Sequence, residues 1–240
     1  MHILLAVAIL RPGLEPGVES LRAGRAAEAE SRFERACPDY DGPERGYCLL
    51  LLGMARQGSG KLETARSAFE AASPLLKTGG PRFADALAMA YRYWGELGES
   101  EDLLRQALAI QLTLSDALPA AATRRRLADL LLRANRVDEA AREWRLAQAA
   151  FAADASPDLG VERAHLRAAE GRLLLAQGHA TEGRLALFDA LRAKEAIFGA
   201  AHRLTASAVR ELAAALESEG AFDRAAPLWR RAAWIERRTR

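Results

Sequence analysis

The chain has 240 residues, half of them apolar, 28% charged and 6% aromatic, with a formal net charge of +2. These values describe one soluble globular unit and exclude collagenous and intrinsically disordered chains. Val, Ile and Thr together make up only 17 residues, too few to fill the strands of an ordinary sheet, so the composition predicts an all-α protein. The 32 acidic residues offset the 34 basic ones, so no polyanionic partner is required.

The chain begins with an apolar run, Ile3 to Leu10. Eight residues are too few for a membrane span, so no transmembrane helix is expected. We expect residues 1–16 to form a separate apolar segment, either a hydrophobic cap on the following domain or a shortened export signal. The two alternatives leave a cytoplasmic and an exported (bacterial periplasmic) location equally open.

A turn residue followed by a short polar stretch and a small residue recurs six times. The turn residues, or anchors, are 36 to 43 positions apart, at Gly24, Gly60, Gly98, Asn135, Gly178 and Gly220. A large apolar residue stands nine positions after five of them, at Phe33, Phe69, Trp144, Leu187 and Trp229, whereas the third copy has Ala107. Apolar stripes with helical spacing lie on both sides of each anchor, which predicts a helix, a tight turn and a second helix.

Such helix pairs bury their apolar faces only by stacking on their neighbours, so the pattern predicts a solenoid of antiparallel helix hairpins over residues 17–240, with about five to six repeats. Pro43, Pro81, Pro119 and Pro157 separate successive pairs. Gly53 and Gly171 stand seven positions before their anchors, and we expect two helices to approach too closely there for a side chain.

The pattern resembles the tetratricopeptide repeat (TPR), in which a Leu-Gly pair precedes the turn and an Ala-x-x-x-aromatic stretch follows it. Leu52-Gly53 matches the first half, and four stretches match the second: Ala29 to Phe33, Ala65 to Phe69, Ala140 to Trp144 and Ala225 to Trp229. The long period is similar to the kinesin-light-chain-like subgroup. The resemblance implies a right-handed superhelix whose first helices line a concave groove for a peptide or partner protein.

The two cysteines, Cys37 and Cys48, flank a segment that has the composition of a turn. Two thiols alone do not make a zinc site. They are either a buried pair of small apolar residues or a disulfide between adjacent helices, and a disulfide would require an oxidising compartment.

Catalytic motifs are absent from the sequence: it has no nucleophile elbow, no paired-histidine zinc motif and no dinucleotide-binding glycine pattern. The stretch Gly58 to Lys61 lacks the spacing and the following Ser or Thr of a phosphate loop. We therefore expect no enzyme activity, no cofactor and no metal.

The expected groove residues lie thirteen, ten, six and three positions before each anchor. From them we select eight candidates: Tyr47, Met54, Arg92, Arg125, Asp129, His165, Arg172 and Arg210. Guanidinium groups bind carboxylates, so this set favours an acidic peptide, while Tyr47 and Met54 would suit an apolar anchor of the ligand. Alternatively, Arg125, Asp129 and Arg133 have the spacing of a face whose charges pair with each other.

In the last helix, Trp234 stands outside the apolar stripe and is surrounded by arginines, which suggests contact with a second chain or another protein. The sequence therefore predicts a non-catalytic protein-interaction scaffold, with possible self-association through the C-terminal helix. A nucleic-acid-binding helical repeat is less favoured because regularly spaced base-reading pairs are absent. A regulatory module of a larger enzyme assembly is the other alternative.

Overall fold

The computed structural model describes residues 13–115, 117–154, 156 and 159–238. These residues form twelve α-helices and no strand. The helices are α1 (Glu15–Arg22), α2 (Ala26–Ala36), α3 (Gly42–Gly58), α4 (Leu62–Thr78), α5 (Ala84–Leu97), α6 (Glu101–Thr113), α7 (Ala117–Arg133), α8 (Val137–Ala153), α9 (Gly160–Ala176), α10 (Ala180–Phe198), α11 (Arg203–Ser218) and α12 (Phe222–Arg238). The chain divides into an N-terminal unit, residues 1–123, and a C-terminal unit, residues 124–240.

Each pair of helices is closed by the same backbone turn. Its central residue has a positive φ, which glycine and asparagine tolerate best: 73° at Gly24, 58° at Asn135 and 84° at Gly178, for example. The residue that follows donates a backbone hydrogen bond to the carbonyl five positions earlier, as Lys61 does to Arg56 at 2.9 Å. This bond satisfies a carbonyl at the end of the first helix, so the chain reverses without losing a buried hydrogen bond.

The third turn departs from the sequence-based expectation by one residue. Gly98 has a φ of −90°, and the left-handed residue is Glu99, with a φ of 51°. Ser100 then caps α6, its hydroxyl accepting a hydrogen bond from the backbone N–H of Leu103 at 3.4 Å. Counted from Glu99, the ninth residue is Leu108, which is buried, so the exception at Ala107 disappears.

Paired helices approach most closely at the glycines expected to lie there. A Cβ atom on Gly53 would stand 2.4 Å from Cε1 of Phe69, and one on Gly171 would stand 2.8 Å from the carbonyl oxygen of Gly183. The predicted close approach is confirmed at both positions. These two contacts fix the register of α3 on α4 and of α9 on α10.

Each unit has its own apolar core. In the N-terminal unit Phe33 and Phe69 are fully buried, and the ring of Phe69 stacks on Tyr93 with 5.3 Å between centroids. In the C-terminal unit Leu187 and Val209 are central to a cluster shared by α9, α10, α11 and α12. The alanines of the repeat pattern, such as Ala190 and Ala232, lie in that cluster and let the helices pack closely.

Cys37 and Cys48 form a disulfide. Cys37 begins a short 3-10 turn after α2, and Cys48 lies in α3, so the bond joins successive repeats within the N-terminal unit. Of the two alternatives that the sequence left open, the structure contains the disulfide.

The apolar run Ile3 to Leu10 lies outside the described residues, as does Pro157. The expected boundary at residue 16 falls within the first turn of α1. In the part of the chain that the structure describes, no helix combines the length and apolarity needed to cross a membrane.

Candidate functional site: a cationic pocket in the C-terminal unit

Five of the eight groove candidates line one pocket in the C-terminal unit. It has a volume of about 580 Å³, and four helices contribute to it. From here on it is called the C-terminal pocket. Its lining residues are Arg125, Asp129, Leu132 and Arg133 of α7, His165, Ala168, Arg172 and Ala176 of α9, Lys194 of α10, and Ser207, Arg210 and Glu211 of α11.

The positions come together because α7, α9 and α11 are the first helices of successive repeats. Residues ten and six positions before Asn135, thirteen and six before Gly178, and ten before Gly220 share one face of the stack. The same spacing from the turn therefore brings Arg125, Asp129, His165, Arg172 and Arg210 to one surface. Whether they bind a ligand stays a prediction.

Arg172 is the electrostatic centre of the pocket. Its Nη2 lies 2.6 Å from Oδ1 of Asp129, and its Nη1 donates to Oε2 of Glu211. Burial alone would lower the pKa of Arg172, but the carboxylates of Asp129 and Glu211 raise it, so the guanidinium stays charged. Arg172 thus joins α7, α9 and α11 through two ion pairs.

A second arginine shares the same carboxylate. Nη1 of Arg125 lies 3.3 Å from Oδ2 of Asp129, and its Nε lies 3.7 Å from Glu162. Only 8% of the Arg125 side chain is exposed. The self-paired arrangement that the sequence left open is therefore present, and Asp129 joins two arginines.

His165 lies among these cations and is held neutral. Burial, followed by the charges of Arg125 and Lys194, lowers its pKa from 6.5 to about 3. The positive charge of the pocket near neutral pH therefore comes from arginine and lysine side chains.

The sequence did not single out Lys194, Ser207 and Glu211 as site residues. Lys194 stands sixteen positions after Gly178 on the second helix of its repeat, so a search restricted to first helices misses it. The hydroxyl of Ser207 donates to Oε1 of Glu211 at 3.3 Å. One feature of the sequence could have drawn attention to Lys194: it is the only lysine after Lys77, and the other basic residues of that part of the chain are mostly arginines.

Arg210 is more exposed than Arg125, Arg172 and Lys194, which also line the pocket. About half of its side chain is exposed, and its Nη1 lies 3.3 Å from Glu236 of α12. Exposed ion pairs of this kind are weak and exchange readily for another carboxylate. Arg210 is therefore more available to a ligand than Arg125 or Arg172.

The other three candidates belong to the N-terminal unit. Tyr47 and Met54 are half-buried on α3, where they pack against the cores around Phe33 and Phe69. Burial, with a smaller contribution from the charge of Asp85, raises the pKa of the Tyr47 hydroxyl. Both residues keep a partly accessible apolar surface.

Arg92, expected to face the groove, is buried in the N-terminal unit and does not line the C-terminal pocket. It is 3% exposed, and its guanidinium carbon lies 4.7 Å from the centre of the Tyr93 ring. The cause is the one-residue shift of the third turn from Gly98 to Glu99, since one residue rotates a helical position by about 100°. Counted from Glu99, Arg92 occupies the inward position held by Gly53 and Gly171 in their repeats.

Trp234 is 43% exposed, and the guanidinium carbon of Arg238 lies 4.8 Å from the centre of its ring. Trp229, expected in the core, is 37% exposed, and its indole N–H donates to Glu217 at 3.2 Å. Among the described residues, no helix follows α12 to cover these side chains. Two indole rings therefore face outward on the last helix.

Metal-binding chemistry has no support in this geometry. Across residues 13–115, 117–154, 156 and 159–238, no group of three or more His, Cys, Asp or Glu side chains is arranged to hold an ion. The carboxylates of the C-terminal pocket are engaged by arginines instead.

No family model matches the sequence, and no curated protein matches it. Solved structures of helical-repeat proteins, in contrast, are similar to it. Apo RapI has a TM-score of 0.72 at 14% identity, with 96% of this chain and 86% of RapI covered. NprR in complex with its cognate peptide NprX has a TM-score of 0.67 at 12% identity, covering 96% of this chain and 70% of NprR.

A kinesin light chain structure with nearly identical TPR-like repeats, from Podosopora anserina, is similar at a TM-score of 0.52 and 22% identity. It covers 83% of this chain and 98% of the other. At these identities the likeness defines the fold, which is an all-α, TPR-like solenoid fold. The fold expected from the turn pattern is confirmed.

Proposed function

We propose that this protein is a non-catalytic scaffold that binds an extended segment of a partner protein or peptide in the C-terminal pocket. The observation that carries the proposal is the convergence of Arg125, Arg172, Arg210 and Lys194 from four helices on one cavity. The fold supports it as well, because NprR, which has a similar fold, has been solved with a bound peptide. Fold alone does not assign a function, so the argument depends on the chemistry of the pocket.

The expected ligand is acidic. Five cationic side chains and two carboxylates line the pocket, and His165 adds no charge near neutral pH. Glu162 and Glu236, which do not line it, pair with Arg125 and Arg210. Asp129 and Glu211 are engaged by Arg125 and Arg172, whereas the surface pair of Arg210 with Glu236 can exchange for a carboxylate of the ligand. Cations that are already oriented by neighbouring groups lose less freedom when a carboxylate binds.

The choice of test variant follows from the ion pairs. Reversing Arg125 or Arg172 would place three carboxylates together in a partly buried site and would threaten the fold. Arg210 is half-exposed and pairs at the surface, so Arg210→Glu changes the pocket charge at little structural cost. Arg192, an exposed residue of α10 outside the pocket, provides the matched control Arg192→Glu.

The experiment is a binding screen of the full chain against an array of random peptides. We expect bound sequences to be enriched in Asp and Glu, and Arg210→Glu to weaken their binding by about tenfold while Arg192→Glu leaves it unchanged. Equal loss in both variants would reduce the effect to net charge. Binding unchanged by Arg210→Glu, or a steeply salt-dependent retention of single-stranded RNA instead of peptides, would contradict the proposal.

We also propose self-association through α12. The exposed rings of Trp229 and Trp234 support it, since exposed large apolar side chains that lie close together are typical of contact surfaces. Sedimentation at high concentration should show a dimer for the wild type and a monomer for Trp234→Ser. Monomeric behaviour of both proteins would remove this proposal.

A further inference from the structure

Of the described residues that line the C-terminal pocket, Lys194 alone comes from the second helix of a repeat. It is 2% exposed, although lysine is among the residues that are rarely buried without a partner. No hydrogen bond or ion pair joins its ammonium group to another described residue. The charges of Glu211 and Asp129 favour the charged ammonium and compensate only in part for the burial of the side chain.

The carboxylates of the pocket are already in use. Both oxygens of Asp129 accept from arginines, Oδ1 from Arg172 and Oδ2 from Arg125. Glu211 accepts from Arg172 at Oε2 and from Ser207 at Oε1. Asp129 and Glu211 are thus oriented by Arg172, Arg125 and Ser207, and among the described residues neither forms an ion pair with Lys194.

The surrounding charges make the same point. Burial, opposed by Glu211 and reinforced by Arg172 and Arg125, lowers the pKa of Lys194. The charged form of Lys194 is therefore destabilised in the free protein, and a negative charge on the ligand would stabilise it.

We propose that Lys194 binds a carboxylate of the bound segment and so determines the preference for an acidic ligand over its neutral amide. The inference deepens the proposed function and depends on it. Arg125 and Arg172 shape the pocket through their internal ion pairs, whereas Arg210 and Lys194 contact the ligand. The carboxylate comes from either an Asp or Glu side chain or a C-terminus.

Lys194 can be observed in the full chain by NMR, because the chain has only three lysines and therefore few lysine signals. Lys61, which pairs with Glu30, and Lys77, which is exposed, both belong to the N-terminal unit and act as internal controls. With lysine labelled with ¹³C at Cε, the Lys194 signal is followed during titration with three hexapeptides. These are acetyl-hexaglutamate amide, acetyl-hexaglutamine amide, and acetyl-hexaglutamine with a free C-terminal carboxylate.

We expect hexaglutamate amide to shift the Lys194 signal and to bind about ten- to hundredfold more tightly than hexaglutamine amide. A comparable effect of the free C-terminus would identify the terminal carboxylate as a ligand. In Lys194→Met the preference for hexaglutamate amide over hexaglutamine amide should be about tenfold smaller, whereas Lys77→Met should keep the wild-type preference. Removal of a buried, unpartnered charge should also leave the melting temperature of Lys194→Met unchanged or raised.

A purely structural lysine gives a different result. Lys194→Met would then melt at a lower temperature and bind every peptide less well, which would overturn the inference. An undiminished preference for glutamate in Lys194→Met would also overturn it while leaving the proposed function intact. If the wild type bound neither carboxylate peptide, both this inference and the acidic-ligand preference would fall.

Discussion

The close approach of α9 and α10 at Gly171 gives the sharpest prediction about the fold. A Cβ added there would stand 2.7 Å from Cγ of Leu187 and 2.8 Å from the carbonyl oxygen of Gly183. The carbonyl belongs to the backbone of α10, so a rotamer change cannot relieve the second contact. The two helices must separate, and the shared apolar core must open with them.

For Gly171→Leu we expect a loss of about 1 to 3 kcal/mol of unfolding free energy from overpacking. The gain in helix propensity on replacing glycine, up to about 1 kcal/mol, offsets part of the strain and makes Gly171→Ala the milder variant. Gly160→Ala is the matched control on the same helix. Its Cβ would meet the nearest atom, Cδ1 of Ile197, at an ordinary 3.6 Å.

The measurement is urea unfolding followed by circular dichroism at 222 nm. Gly171→Leu should have a lower unfolding midpoint than the wild type, whereas Gly160→Ala should have a midpoint equal to or above that of the wild type. If Gly171→Leu unfolded at the wild-type midpoint, the register of α9 on α10 described above would be wrong.

Two further predictions concern stability. Removing the Cys37–Cys48 disulfide by a double substitution to alanine should lower the free energy of unfolding by about 3 kcal/mol, because the bond closes a short loop of the unfolded chain. Reductant should have no further effect on this variant. A variant as stable as the wild type would contradict the prediction. His165 has a pKa of about 3 in the folded chain and about 6.5 when unfolded, so the unfolded state binds the proton first as pH falls. The stability of the folded chain is therefore fully present above pH 6.5 and should fall by about 2 kcal/mol by pH 5, a slope that His165→Gln should flatten. A His165 proton resonance that titrates near pH 6.5 in the folded chain would refute this reasoning.

Much of the repeat architecture could be predicted from the sequence because the turns require particular backbone angles. Gly24, Gly60, Asn135, Gly178 and Gly220 have the positive φ that their residue types favour. The third turn could not be placed from the same signal. Its left-handed residue is a glutamate next to a glycine, and the resulting one-residue error moved Arg92 from the core to the expected groove.

The pocket shows the same division. Constant spacing from the turns identified Arg125, Asp129, His165, Arg172 and Arg210 as neighbours, since first helices repeat with a fixed geometry. Their pairing could not be derived, because it depends on distances between helices. Lys194 was missed for the related reason that the side chain reaches the pocket from a second helix, which the spacing rule does not describe.

The central claim, that an acidic segment binds in the C-terminal pocket, is tested most directly by locating a bound probe. Acetyl-hexaglutamate amide with a photoreactive diazirine on one side chain is irradiated with the full chain, and the crosslinked positions are read by mass spectrometry. The account predicts crosslinks to the pocket-lining residues of α7, α9 and α11, which excess unlabelled hexaglutamate amide suppresses. Crosslinks confined to residues 13–123 or to α12 would contradict it.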